Sequence, residues 1–379
     1  MSGGDISGEA RAREDRRFME SALAVGARNL GLTWPNPSVG AVIVRHEEGR
    51  AVVVSRGVTQ PGGRPHAERV AIDAAGPLAR GATIYVTLEP CSHHGKTPPC
   101  AEAVIAAGLT RVVYALADPD PRVAGRGGAL LRQAGLAVSA GIGEADAARA
   151  HRGHVMRVTQ SRPSVLLKLA RTADGFAAAA SNERLMITGA LANARVHLMR
   201  AHADAILVGL GTVLADDPRL TVRLPGLEHR SPVRVVVDSA LALPLDASLV
   251  TSAGAPPTWI VTTIGAPVEA ERRLVAAGIE VMRVGADPHG RVRLDEALRL
   301  LAARGITRVF CEGGPVLAEA LAEADLVDEA AIVTAPHTLG APGHRAVGPA
   351  LGEALARRLR LVGEENAGPD RFQIYERIA

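Results

Sequence analysis

Hydrophobic and polar positions along this chain recur with two different periods, and the switches between them mark the elements. Residues 14–30 pass from polar to apolar with helical spacing and predict a helix, which the turn-rich WPNPSVG follows. AVIVRHEEGRAVVV (41–54) predicts a β-hairpin, two Val-rich runs around a charged turn. HAERVAIDAAG (66–76) then reads as a helix and TIYVTLEP (83–90) as a buried strand. PPCAEAVIAAG (98–108) reads as a helix with proline where a first turn tolerates it. RVVYAL (111–116), GRGGALLRQAG (125–135) and LAVSA (136–140) continue as strand, helix and short strand. Such alternation predicts a layered α/β domain.

Residues 141–162 form a charged segment that ends at Pro163, and the boundary is placed there: one domain over 1–150, a second over 163–379. The second series holds the strands SVLLKLA, DAILVG, VRVVVDS, TWIVTT, TRVFCEGG and EAAIVTA. Helical stretches such as LANARVHLMRAHA and GPVLAEALAEA lie between them, so this half is also α/β. No internal repeat links the halves.

Composition narrows the classes. At 379 residues the chain exceeds what one core supports, in agreement with two domains. A net charge of +3 disfavours a dedicated nucleic-acid binder, which needs clustered cations. Arginines outnumber lysines 41 to 2, which lifts the pI to about 9.0 without a large charge. The first residues lack an apolar signal region, and no apolar run is long enough for a bilayer, so a cytoplasmic protein without membrane contact is expected. In that compartment the three cysteines are available as thiolates rather than disulfides.

Candidate chemistry concentrates in TLEPCSHHGKTPPC (87–100), with RPHAE (64–68) upstream. His66 and Glu68, then Pro90-Cys91 and a further Cys100, follow the order used by zinc nucleobase deaminases, although eight residues rather than two separate the cysteines. One imidazole and two thiolates leave a fourth tetrahedral position for water, and Glu68 is placed to move its protons. Cys100 opens a helix, where free N–H groups favour a thiolate. A closed site built from Cys91, Cys100 and His93 or His94 would leave His66 idle. His93 and His94 otherwise line a loop, and Cys311 reads as a core residue.

PNPSVGAVIV, PHAE, TLEPCSHHGKTPPC and ADPDPRVAGRG closely resemble the bifunctional riboflavin-biosynthesis deaminase–reductase family. The resemblance implies a cytidine-deaminase-like three-layer α/β/α domain that binds zinc through His66, Cys91 and Cys100 and uses Glu68 as proton shuttle. Its implied reaction is hydrolytic deamination of 2,5-diamino-6-ribosylamino-4(3H)-pyrimidinone 5′-phosphate. Asn36 falls in a turn that contacts the ribose or base in such deaminases.

In the second half, GLGTVL (209–214) lacks the last glycine of a dinucleotide fingerprint, so a Rossmann site is unsupported. CEGGPVLAEAL (311–321) is a strand, glycine turn and helix start, open to a phosphate or to a plain connection. Together with LKLARTADG and DAILVGLGTVLADDPRLTVR it resembles the same family's reductase domain, which has a dihydrofolate-reductase-like α/β fold and uses NADPH. By that resemblance Ala170, Met186, Thr212, Asp216, Ser239 and the run Gly314, Pro315, Val316, Leu317, Ala318, Glu319, Ala320 meet the cofactor. Arg184, Arg200, Leu220, Arg223 and Glu312 meet the substrate. Lys168 is one of the two lysines, a hint that an ammonium is wanted there.

Arg184 and Met186 depart from the family pattern of a small hydroxyl residue and Trp. Phe176 replaces a usual basic residue, and His151 and His154 stand where Asn and Phe are common. The expected protein is a homo-oligomeric enzyme acting on a small pyrimidine ribosyl phosphate. Its rivals are a deaminase with a non-reducing C-terminal binding module, a nucleic-acid deaminase and a zinc-stabilised interaction protein.

Overall fold

The computed structural model describes residues 8–94, 98–180 and 186–378. The chain divides into two compact units between Ser161 and Arg162. The first contains α1 (Gly8–Ala27), β1 (Gly40–Glu47), β2 (Arg50–Val58), α2 (Ala67–Ala75), β3 (Thr83–Leu88) and α3 (Cys100–Ala106). It continues with β4 (Arg111–Leu116), α4 (Arg126–Gln133), β5 (Ala137–Ala140), α5 (Glu144–Ala150) and α6 (Arg152–Gln160). The five strands order as β2-β1-β3-β4-β5; β1 runs antiparallel to both neighbours, and β3, β4 and β5 are parallel.

Alternation along the strands divides the core between two faces. Ile43, Ile84, Val86, Val112 and Tyr114 pack with Ala67, Ala71, Ala101, Val104 and Leu131 of α2, α3 and α4. Val42, Val44, Tyr85 and Val113 pack on the other side with Phe18, Met19 and Ala22 of α1 and Ala147 of α5. The unit is therefore a three-layer α/β/α sandwich. Aromatic scarcity is met by alanine, which lets helices approach the sheet closely.

Two local expectations shift. The first helix begins at Gly8, before residue 14, because GEARARED already favours helix, and it ends at Ala27 in a series of turns. The segment 141–162 is two helices rather than a connector, and Ala147 of α5 is fully buried in the first unit's core.

Asp15 of α1 ties this unit together. Its carboxylate accepts two 2.7 Å hydrogen bonds from Arg111 and one of 2.8 Å from Tyr85. Burial alone would raise this carboxyl, but the bonds from Arg111 and Tyr85 outweigh it and hold it below the usual range. Its contribution is complete above the unfolded carboxylate value of about 3.9 and fades as pH falls through the lower folded one. Asp15→Asn should strand Arg111 and cost about 3–5 kcal/mol in urea unfolding of the first unit at pH 7, with the deficit shrinking in acid. An unchanged midpoint would show that the triad carries no stability.

The second unit contains β6 (Ser164–Arg171), β7 (Phe176–Ala179), α7 (Ala190–Ala201), β8 (Ala205–Gly209), α8 (Leu210–Asp216), β9 (Val233–Val237) and α9 (Ser248–Thr251). Then come β10 (Thr258–Thr263), α10 (Val268–Ala276), β11 (Glu280–Val284), α11 (Leu294–Ala303), β12 (Arg308–Cys311) and α12 (Pro315–Glu323). The last elements are β13 (Glu329–Thr334), β14 (Gly343–Arg345), α13 (Pro349–Glu353), β15 (Leu359–Ala367) and β16 (Asp370–Arg377). Nine strands form one sheet, β11-β10-β9-β8-β12-β6-β13-β16-β15, parallel from β11 to β13 and antiparallel at β16 and β15. β6 lies between β12 and β13; β8 to β11 extend outward beyond β12, and the antiparallel β16 and β15 beyond β13. The direction of strand addition therefore reverses beside β6, and the loops after the flanking strands border one crevice. Among the described residues no helix is long and apolar enough to cross a membrane.

Candidate active site

His66 immediately precedes α2, Glu68 lies in that helix's first turn, Cys91 follows β3, and Cys100 is the first residue of α3. His66 Nδ1 lies 3.4 Å from Cys100 Sγ and 3.8 Å from Cys91 Sγ, and all three donor atoms fall within 4.8 Å of one another. Tetrahedral zinc, with bonds of about 2.3 Å to sulfur and 2.0–2.1 Å to nitrogen, requires N···S separations of about 3.6 Å. The donor set fits zinc in both chemistry and spacing. His94 instead faces Glu102 at 3.6 Å, and His93 is outside the cluster.

The helix start acts on a different sulfur from the one expected. The Cys100 N–H donates to Cys91 Sγ at 3.3 Å. Hydrogen bonding from the Cys100 thiol, joined by His66 and that N–H, overcomes burial and draws the Cys91 thiol down to about 4. Cys100 itself is pushed up, by its hydrogen bond to Cys91 and by burial. Without metal the two sulfurs share one charge, and Cys91 carries it. Glu68 is buried; that burial and the neighbouring Cys91 charge push its carboxyl up to about 7. A proton shuttle at neutral pH needs that range.

Asn36 Nδ2 donates to Gly63 O at 2.8 Å, clamping the loop that leads to His66. Gly63 has φ +82°, and a Cβ there would meet Asn36 at 2.7 Å, so the clamp demands glycine. Sequence reasoning passed over Glu89, whose carboxylate accepts N–H groups from Asp118, Gly125 and Gly128 at 3.3, 3.0 and 2.9 Å. It also passed over the pair His154 Nε2 and Asp118 Oδ1 at 2.9 Å. His151 Nε2 lies 2.9 Å from Thr87 Oγ1. The acid-rich ADPDPR was the one local signal for this loop.

In the second unit, Lys168 on β6 and Glu312 beyond β12 stand on adjacent strands, and Arg200 is in the last turn of α7. Arg200 Nε and Nη2 donate to Glu312 at 2.5 and 2.8 Å, and Nη1 donates to Thr221 O at 3.0 Å. The Arg223 N–H donates to His197 Nδ1 at 3.2 Å, which adds His197 to the group. Leu220 is buried in the core with φ +53°, a strained conformation for a leucine. Its side chain points inward, so any contact it makes with a ligand is through the main chain. Burial lowers the Lys168 ammonium, against the pull of Glu312. Burial, then Arg200 and Arg223, lower His197 to about 4. Burial and the nearby Arg200 and Arg219 lower even the Arg223 guanidinium. Crowded cations of this kind favour an anionic ligand.

The residues expected at the cofactor partly converge. Thr212 Oγ1 accepts the Gly314 N–H at 3.2 Å, and Ser239 Oγ accepts that of Val292 at 3.1 Å. Pro315, Val316, Glu319 and Ala320 line a cavity of 310 Å³, enough for a portion of a dinucleotide. Leu317 and Ala318 instead turn into the core. Asp216 is exposed at the end of α8, Ala170 is half-buried on β6, and Met186 is 66% exposed. Arg184 lies outside the described residues.

Comparison with known proteins matches residues 12–116 to the cytidine and deoxycytidylate deaminase zinc-binding region and residues 163–372 to the RibD C-terminal domain. The riboflavin biosynthesis protein RibD of Bacillus amyloliquefaciens is 40% identical over 323 residues, 85% of each chain. The chain belongs to the RibD family. RibD of Acinetobacter baumannii superposes with a TM-score of 0.85 at 33% identity, covering 97% of this chain and 100% of that one. A Thermotoga maritima structure described as a diaminohydroxyphosphoribosylaminopyrimidine deaminase/5-amino-6-(5-phosphoribosylamino)uracil reductase gives 0.81 at 31% identity, with 97% and 100% coverage.

Like RibD, this chain is a bifunctional enzyme of riboflavin biosynthesis, with a zinc-binding deaminase domain and an NADPH-dependent reductase domain. A C-terminal half reduced to a binding module is not favoured. One departure from the RibD pattern has a structural counterpart. Phe176 pairs in register with Arg345 of β14, whose guanidinium lies 4.7 Å over its ring. A cation thus stacks on the side chain at this position.

Proposed function

We propose that Glu68, beside zinc held by His66, Cys91 and Cys100, removes one exocyclic amine of 2,5-diamino-6-ribosylamino-4(3H)-pyrimidinone 5′-phosphate. The reductase domain then converts the ribosyl group to ribityl, giving 5-amino-6-ribitylaminouracil 5′-phosphate. The observation that carries this reading is a buried Glu68 next to three convergent zinc donors. The two activities ascribed to the Thermotoga maritima relative support the choice of substrate.

Bound zinc supplies Lewis acidity toward water, and bound NADPH supplies a hydride; the rest falls to the chain. Glu68 takes a proton from water as the new C–O bond forms at the ring carbon. It passes that proton to the adjacent ring nitrogen, then takes the hydroxyl proton and delivers it to the amine as the C–N bond breaks, leaving a ring carbonyl with a ring N–H and ammonia. In the second domain, Arg200 and Arg223 hold the anionic substrate. Lys168, whose ammonium burial makes more acidic, protonates the ribose ring oxygen as its bond to C1′ breaks. The lone pair of the amine nitrogen makes a C1′=N iminium as that bond breaks. C1′ is the carbon that would accept the hydride to restore the amine, and solvent reprotonates Lys168. Glu312 keeps Arg200 aligned throughout. A homo-oligomer in the cytoplasm completes this proposal.

Purified zinc-loaded protein given substrate and NADPH should release one ammonia and oxidise one NADPH per substrate. With deaminated substrate, only NADPH should be consumed. Ammonia release without NADPH oxidation would restore the binding-module alternative.

A further inference from the structure

We propose that Arg291 and Arg345 recognise the phosphate ester on the 2′-oxygen of the NADPH adenosine, and so set the preference for NADPH over NADH. This rests on the reductase reading. Both arginines line the 310 Å³ cavity whose other wall is the first turn of α12, Pro315 and Val316.

Each arginine is carried by a built support. Arg291 sits on the tight turn after β11: Asp287 Oδ1 accepts the N–H groups of His289 and Arg291, both at 2.8 Å. The next residue, Val292, donates its N–H to Ser239 Oγ, which docks that turn against the end of β9. The Arg291 side chain makes no ion pair or hydrogen bond among the described residues, so its donors are available. Arg345 comes from β14. It is stacked on Phe176 and donates one Nη1 bond to Asp174 O at 3.1 Å, which fixes the guanidinium plane. Stacking and a single bond leave other donors of its five free.

Two carboxylates share the cavity. Glu319 is engaged by the N–H groups of Ala350 and Leu351 at the start of α13, so its charge is already committed. With Glu323, a turn further along α12, the lining is formally neutral, so an anion would be drawn to the two guanidinium groups themselves and not to a net positive field.

The first turn of α12 offers few donors to a diphosphate. Pro315 has no N–H, Gly314 N–H is taken by Thr212, and the Leu317 and Ala318 N–H groups bond to Gly314 O. The cavity's affinity for anions therefore comes from its guanidinium groups. Two of them facing one space suit a dianionic phosphomonoester better than a diester. In the cofactor that group is the 2′-phosphate, which NADH lacks.

Calorimetric titration with adenosine 2′,5′-bisphosphate and with 5′-AMP tests this without turnover. Arg291→Ala and Arg345→Met should each weaken the bisphosphate about tenfold or more while 5′-AMP is unchanged, the scale of one charge-assisted hydrogen bond. kcat/KM should fall in parallel for NADPH but not NADH, with deaminase turnover constant. Equal weakening of both nucleotides, or of neither, overturns the assignment. Wild-type protein that oxidises NADPH yet binds the two nucleotides alike overturns this proposal alone. Wild-type protein that binds neither and oxidises no NADPH overturns the reductase reading with it.

Discussion

Cys91→Ser is expected to purify without stoichiometric zinc and without measurable ammonia release. A serine hydroxyl does not ionise near neutral pH, whereas the Cys91 thiol is drawn down to about 4 before metal arrives. Cys91 also receives the Cys100 N–H and offers its carbonyl to the Ala101 N–H at 3.1 Å, so it organises the start of α3 as well as the metal. Zinc determined by mass spectrometry and the initial rate of ammonia release should therefore fall together. A variant that keeps one zinc per chain would remove Cys91 from the ligand set. NADPH oxidation on deaminated substrate serves as the folding control, because none of these groups lies in the reductase unit.

Glu68→Gln should separate metal from chemistry. Glutamine keeps the size of the buried side chain but cannot carry a proton between water and amine, so ammonia release should drop at least ~100-fold with zinc retained. In the metal-free protein a second effect has a definite sign. The folded carboxyl is raised to about 7, so its stability contribution is complete below the unfolded value near 4.3 and is lost as pH rises through 7. Chelator-treated Glu68→Gln should thus melt higher than chelator-treated wild type above pH 7, and the gap should close in acid. Retained deamination, or loss of zinc, would remove Glu68 from its proposed role.

Local pattern made much of this fold readable. The β1–β2 hairpin declares itself by two Val-rich runs around a charged turn, and the apolar strands β3, β4, β8, β9 and β10 do so because burial on both faces leaves few polar residues in them. β15, LRLVGEENA, did not: it is an edge strand exposed along most of its length, and its sequence answers to solvent. At the zinc cluster, His66, Cys91 and Cys100 were readable because ligand chemistry restricts residue type. Which sulfur takes the charge was not readable, since it depends on an N–H meeting a side chain nine residues away. Glu89 was hidden for the same reason: its three donors come from residues 29, 36 and 39 positions later. His197 gave no signal in the sequence, because its partner, the Arg223 N–H, lies 26 residues later.

The position of Lys168 also makes the protein chemically addressable. The chain has two lysines, Lys96 and Lys168, against 41 arginines, so an amine-directed reagent meets two side chains and the α-amine. Acylation requires the free base, and burial shifts Lys168 toward it at neutral pH, where an ordinary lysine is almost wholly protonated. A small acylating reagent that reaches the site should therefore find Lys168 more readily deprotonated than an ordinary lysine and report, by protection, when the reductase site is filled.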